Sequence, residues 1–111
     1  MLNKLVLGTV QFGLDYGVAN DRGRIPRNEV KRIIDKCLWK DIHTLDTAIN
    51  YGVSEKVLGS CGVSNFQVIT RLPTVPRDIK NIRTWIISEV NKSISRLKIN
   101  KLHSLMLHDP D

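Results

Sequence analysis

The chain has 111 residues, of which 41% are hydrophobic, 25% charged and 5% aromatic. That is the size of one ordinary domain, and the apolar share excludes a disordered segment. Seventeen Lys and Arg against eleven Asp and Glu give a net charge of +6, which attracts anions, but the basic residues are too dispersed for a nucleic-acid arm.

Seven Gly and four Pro exclude collagen-like and low-complexity architectures. No apolar run approaches the ~18 residues of a membrane helix. The first apolar run is broken by Gly8 and Gln11 and lacks a signal peptide's length. A soluble, cytoplasmic chain is expected.

Residues 4–8 read as a buried strand, followed by a Gly-, Asp- and Asn-rich loop from Gln11 to Gly23. Pro26 suits a first helical turn. Val30, Ile33, Ile34, Cys37 and Leu38 then recur at helical spacing and form one apolar stripe. Residues 42–46 are a second strand. Ser54 is a candidate N-cap for the next helix, and Glu55 in its first turn favours the helix dipole. Gly59 or Gly62 can end that helix.

Residues 67–72 predict a third strand, stopped by Pro73. Asp78 is expected to cap a longer helix, because Ile79, Ile82, Ile86, Val90, Ile94 and Leu97 step by three or four. Asn100 can terminate it. Residues 102–107 form the fourth strand, and His108 follows. Near-continuous apolar strands alternating with helices predict a parallel α/β sheet, β-α-β-α-β-α-β. That order allows a small open sheet or part of a barrel.

Cys37 and Cys61 are separated by 23 intervening residues, which fits neither a redox pair nor half a zinc site; Cys37 reads as a buried thiol. His43 and His103 fall inside strand patterns without motif partners. Trp39 and Trp85 are expected to pack between helices and sheet. The lysines and arginines near residues 31–40 and 80–98 are expected to form two solvated helix faces. No metal-ligand spacing, P-loop or Gly-x-Gly-x-x-Gly occurs.

Polar residues gather where strands end: Asp46 after the second, Arg71 near the end of the third, and His108 after the fourth, with Tyr51 in the loop beyond Asp46. In parallel α/β folds, groups at that end converge on a ligand. A purely structural role, with Arg71 pairing Asp46, is the alternative.

The run from Asp46 to Gly59, Asp-Thr-Ala then Tyr-Gly-x-Ser-Glu then Leu-Gly, resembles the signature of the aldo-keto reductases. The stretch from Leu7 to Gly13 resembles their first-strand motif, and Leu107-His108-Asp109-Pro110 resembles their fourth-strand ending. The resemblance implies a (β/α)8 TIM barrel that reduces aldehydes or ketones with NADPH or NADH. It assigns catalytic roles to Asp46, Tyr51, Arg71 and His108, and cofactor contacts to Gly8, Thr9 and Asp46.

In that scheme Tyr51 supplies the proton, a cation beside it stabilises the phenolate, Asp46 holds the cation, and His108 orients the carbonyl. Arg71 stands where the family has lysine, and it is bulkier and practically never deprotonated. Weakened or absent turnover is therefore expected.

At about 31 residues per βα unit, a barrel of roughly 250 residues would give 111 residues three and a half units. The expectation is an N-terminal half-barrel over residues 1–111, truncated before most cofactor contacts, without tight NADP binding alone. Its two unprotected sheet edges suggest a homodimer that closes a barrel. The competing readings are a non-catalytic scaffold or assembly module and, from charge alone, a nucleic-acid-binding domain.

Overall fold

The structure is a computed structural model that describes residues 5–14 and 23–107. The four predicted strands are present as Val6–Gly8 (β1), Thr44–Asp46 (β2), Gln67–Leu72 (β3) and Ser104–Leu107 (β4). A short helix, Val10–Gly13 (α1), follows β1. The longer helices are Arg27–Trp39 (α2), Ser54–Cys61 (α3) and Ile82–Leu97 (α4). All strand pairs are parallel, in the order β1-β2-β3-β4.

Parallel neighbours joined by right-handed crossovers place the three longer helices on one face of the sheet. The buried residues show this packing. Val30, Ile34 and Cys37 of α2, Leu58 and Cys61 of α3, and Leu97 of α4 form one core with Leu45 and Val68. Strand alternation then directs Asp46, Ile69, Arg71, Ser104 and Met106 to the opposite face. No helix among those described is long and apolar enough to cross a membrane.

Several local expectations need correction. Pro26 lies just before α2, as its extended cap. Ser54 is the first residue of α3, not its cap; Val53 occupies that position. Ser54 is fully buried, and its hydroxyl is spent on long-range partners. Gly62, at φ 84°, follows the last residue of α3. Asn81, not Asp78, caps α4: its extended backbone brings the side-chain oxygen 3.1 Å from the Thr84 amide. Ile79 therefore lies outside the helix. Lys98, in the left-handed region, ends α4 before Asn100.

Trp39 is 79% exposed rather than packed, with the Lys40 ammonium 5.1 Å from the centre of its ring. Cys37 is buried as expected, and burial raises its thiol pKa. His43 and His103 are exposed and precede their strands.

Glu55 was expected to favour the helix dipole from the first turn of α3. Instead its side chain is 3% exposed and joins three elements. It accepts hydrogen bonds from Thr70 of β3 at 2.8 Å, Ser93 of α4 at 2.5 Å and the Arg96 Nε at 2.8 Å. Arg96 thus leaves the solvated face predicted for it. A carboxylate removed from water costs several kcal/mol unless paired and hydrogen-bonded, and these three donors offset that cost.

Beside this anchor, Gly59 lets α3 touch α4: a Cβ there would overlap the Arg96 carbonyl oxygen. A helix-interior glycine normally costs about 1 kcal/mol relative to alanine, but overpacking here outweighs that gain.

Two predictions follow from this junction. Gly59→Ala should destabilise by about 1–3 kcal/mol in chemical denaturation, despite its better helix propensity; stabilisation would contradict the close approach. Glu55→Ala, which leaves the Arg96 guanidinium without its carboxylate, should cost about 3–5 kcal/mol in the same measurement. A loss below about 1 kcal/mol would contradict the anchoring role.

Candidate functional site

The site is built at the carboxyl ends of β1, β2 and β3. Parallel register sets Gly8 of β1 beside Asp46 of β2, and Asp46 beside Ile69 of β3. Arg71 lies two residues further along the same face of β3. Its guanidinium reaches back to Asp46 with both ends of its fork. Nη2 donates to Oδ2 at 2.8 Å, and Nε donates to Oδ1 at 3.4 Å. The two side chains are about one-third exposed (Arg71 32%, Asp46 27%), so solvent screens the pair only in part.

The hydrogen bond to Asp46 holds the Arg71 guanidinium above its already high ordinary pKa. Burial opposes this shift, and the charge of Asp46 and then the nearby Tyr51 add to it. Arg71 is therefore a fixed cation at any working pH. A planar fork suits a carboxylate in this two-point manner, whereas a lysine would present a single point charge.

Tyr51 lies in the β2–α3 loop. Its amide donates to the Ala48 carbonyl at 3.1 Å, and its carbonyl accepts from the Ser54 amide at 3.0 Å. Gly13 of α1 packs directly on that turn: a Cβ at Gly13 would collide with the Tyr51 carbonyl oxygen. The Leu7–Gly13 segment and the tyrosine loop are thus fitted to each other by contact. Sequence reasoning identified Gly13 as part of a motif but did not see this role.

Thr9 and Ser54 are buried beneath the loop. Thr9 sends both its amide and its hydroxyl to the Asp46 carbonyl oxygen, at 3.1 and 3.0 Å. The Ser54 hydroxyl lies 3.1 Å from the Thr9 hydroxyl and 2.9 Å from that of Thr47. One arrangement of protons satisfies all three groups: Thr47 donates to Ser54, Ser54 to Thr9, and Thr9 to Asp46. The Thr9 hydroxyl is thereby committed to the backbone that carries Asp46.

Gly8 borders open space, since a Cβ there would meet nothing within 4 Å. The structure therefore brings Asp46, Arg71 and Tyr51 together at one rim, with Gly8 and Thr9 beside them. His108 lies outside the described residues. Sequence reasoning missed Thr47, Thr70, Ser93 and Arg96 as supports. The available signals were the small hydroxyl residues at strand ends and the three-residue spacing of Ser93 and Arg96 on α4.

Comparison with known proteins gives the same direction. A family model described as the aldo/keto reductase family matches residues 4–111. Two solved structures from Pseudomonas aeruginosa, each carrying an aldo-keto reductase assignment, share this fold. They are 23% and 20% identical, with TM-scores of 0.78 and 0.75. The match covers 97% of this chain but only 43% and 42% of theirs. No curated protein matches. The four-stranded sheet is thus part of a (β/α)8 barrel, spanning less than half the length of those structures. With the family pattern matched from residue 4 to residue 111, the chain belongs to the aldo/keto reductase family.

Proposed function

We propose that this chain carries the proton-donor side of a site that reduces an aldehyde or ketone with NAD(P)H. The observation that supports this reading most is the two-point Asp46–Arg71 pair at the strand ends, with Tyr51 close enough to influence the arginine. The open space at Gly8, beside Asp46 in register, fits the nicotinamide end of such a cofactor. Gly8 and Asp46 would border it there, and the bound cofactor would supply hydride.

The chain's own residues manage the proton. The Tyr51 hydroxyl gives its proton to the carbonyl oxygen as negative charge develops there. A phenol with its ordinary pKa near ~10 is a reluctant acid at neutral pH, and a fixed cation beside it stabilises the phenolate left behind. Arg71 supplies that cation. Asp46 engages Nε and Nη2, which fixes the plane of the fork and leaves Nη1 outside the pair. His108 would polarise the carbonyl from the end of β4.

Besides its shape, arginine differs from lysine in proton supply: its proton is not available to replenish the phenolate. The proposal is therefore a site whose electrostatics are intact and whose proton relay is weakened.

The test places this chain in a barrel completed by an aldo/keto reductase C-terminal half and follows carbonyl-dependent NADPH oxidation. Arg71→Lys should raise turnover at least about tenfold, and Tyr51→Phe in that background should remove about 10²–10⁴ of it. An Arg71→Lys barrel that folds and binds NADPH but reduces no carbonyl would overturn the reading.

A further inference from the structure

The amino ends of β3 and β4 carry polar groups that the site above does not use. Gln67 opens β3, and His103 immediately precedes β4. Gln67 is four residues before Arg71, about 13 Å along the strand at ~3.3 Å per residue. A cleft of about 310 Å³ lies there, between the α3–β3 and α4–β4 connections. Those connections lead into strands that pair with each other. The cleft is therefore made by two neighbouring loops of this chain and not by an edge of the sheet. Its volume is at the small end of ligand pockets, about 300–1,000 Å³.

The lining suits an anion. Lys98 and Lys101 bring two ammonium groups, Ser64 a hydroxyl and His103 an imidazole. None of the described residues that line the cleft is acidic. Neither ammonium is paired with a carboxylate among the described residues. The carboxyl end of α4 contributes about half a negative charge, which two full positive charges exceed. The buried Phe66 and the half-buried Ile99 give the cleft an apolar side. Lys98 ends α4 at φ 55°, in the left-handed region where helices usually place glycine. A positive charge thus occupies a turn whose backbone favours a residue without a side chain.

We propose that this cleft binds a small phosphate monoester. A phosphate group carries about 1.5–2 negative charges at neutral pH and three strong acceptor oxygens. Two ammoniums match that charge, and the Ser64 hydroxyl and the His103 ring add donors beside them. A carboxylate brings a single charge and leaves one ammonium unmatched. The organic part of the ester lies against Phe66 and Ile99. The site is at the opposite end of the sheet from Asp46 and Arg71 and does not depend on the carbonyl chemistry.

Amide chemical-shift titration of the isotope-labelled full chain tests it, with phenyl phosphate, benzoate and inorganic phosphate as probes. The same titration is run on the completed barrel described above, without NADPH. Phenyl phosphate should give saturable shifts confined to residues 62–67 and 98–103 in both proteins. It should bind at least about tenfold more tightly than benzoate, and more tightly than inorganic phosphate. Lys98→Gly, which keeps the left-handed turn, and Lys101→Ala should each weaken phenyl phosphate at least about tenfold while the rest of the spectrum stays unchanged. Absence of saturable shifts, shifts spread over the other surface lysines, equal binding of benzoate, or unchanged affinity in either variant would overturn the site. So would its loss in the completed barrel, where further chain would then fill the cleft.

Discussion

A carboxylate that is 3% exposed in a chain of this size must be neutralised where it lies, and Glu55 is neutralised from three directions. Thr70 comes from β3, and Ser93 and Arg96 from α4. The residue before it, Ser54, grips the other side of the sheet through Thr9 and Thr47. Two adjacent residues at the start of α3 therefore tie the ends of β1 and β2 to β3 and α4. Satisfying the buried charge is possible only when these elements hold one relative position. The arrangement thus fixes geometry, beyond whatever it contributes to net stability.

That geometry reaches the site directly. Thr70, held by Glu55, precedes Arg71 on β3, and strand alternation sends the two side chains to opposite faces. Gripping Thr70 on the helix side steadies Arg71 on the open side. Thr9, held by Ser54, bonds the carbonyl of Asp46. The two halves of the Asp46–Arg71 pair are each supported by one of the two adjacent α3 residues. Tyr51 ends in the turn whose carbonyl receives the Ser54 amide. The Tyr-Gly-x-Ser-Glu run thus places the proposed proton donor and its structural support only three and four residues apart.

Periodic elements were legible in the sequence because their signals are local. β3 matches its expected bounds at residues 67–72, where an apolar run meets Pro73. The helical stripe of α2 supplies the core as its spacing predicts. Caps were less legible, since Asp78 and Asn81 are both chemically able and only the extended backbone at Asn81 decides between them. Trp39 was misread because aromatic size predicts burial, whereas its place at the end of α2 leaves the ring in solvent beside Lys40. The Glu55 cluster was not legible at all. Its α4 partners lie 38 and 41 residues away, and no local pattern couples such distant groups. Asp46 and Arg71, 25 residues apart, were found only because strand ends in a parallel sheet are known to converge.

The central claim is that the start of α3 holds the strand ends in place. Native-state amide hydrogen exchange in Ser54→Ala tests it most directly. The Thr9 and Thr47 amides bond the Asp46 and Ile69 carbonyls at 3.1 and 2.8 Å, whereas the His103 amide bonds Val68 at 2.9 Å, outside the Ser54 network. The account predicts that Thr9 and Thr47 lose protection through local opening while His103 keeps its own. Equal loss at all three amides, or no loss at Thr9 and Thr47, would contradict it.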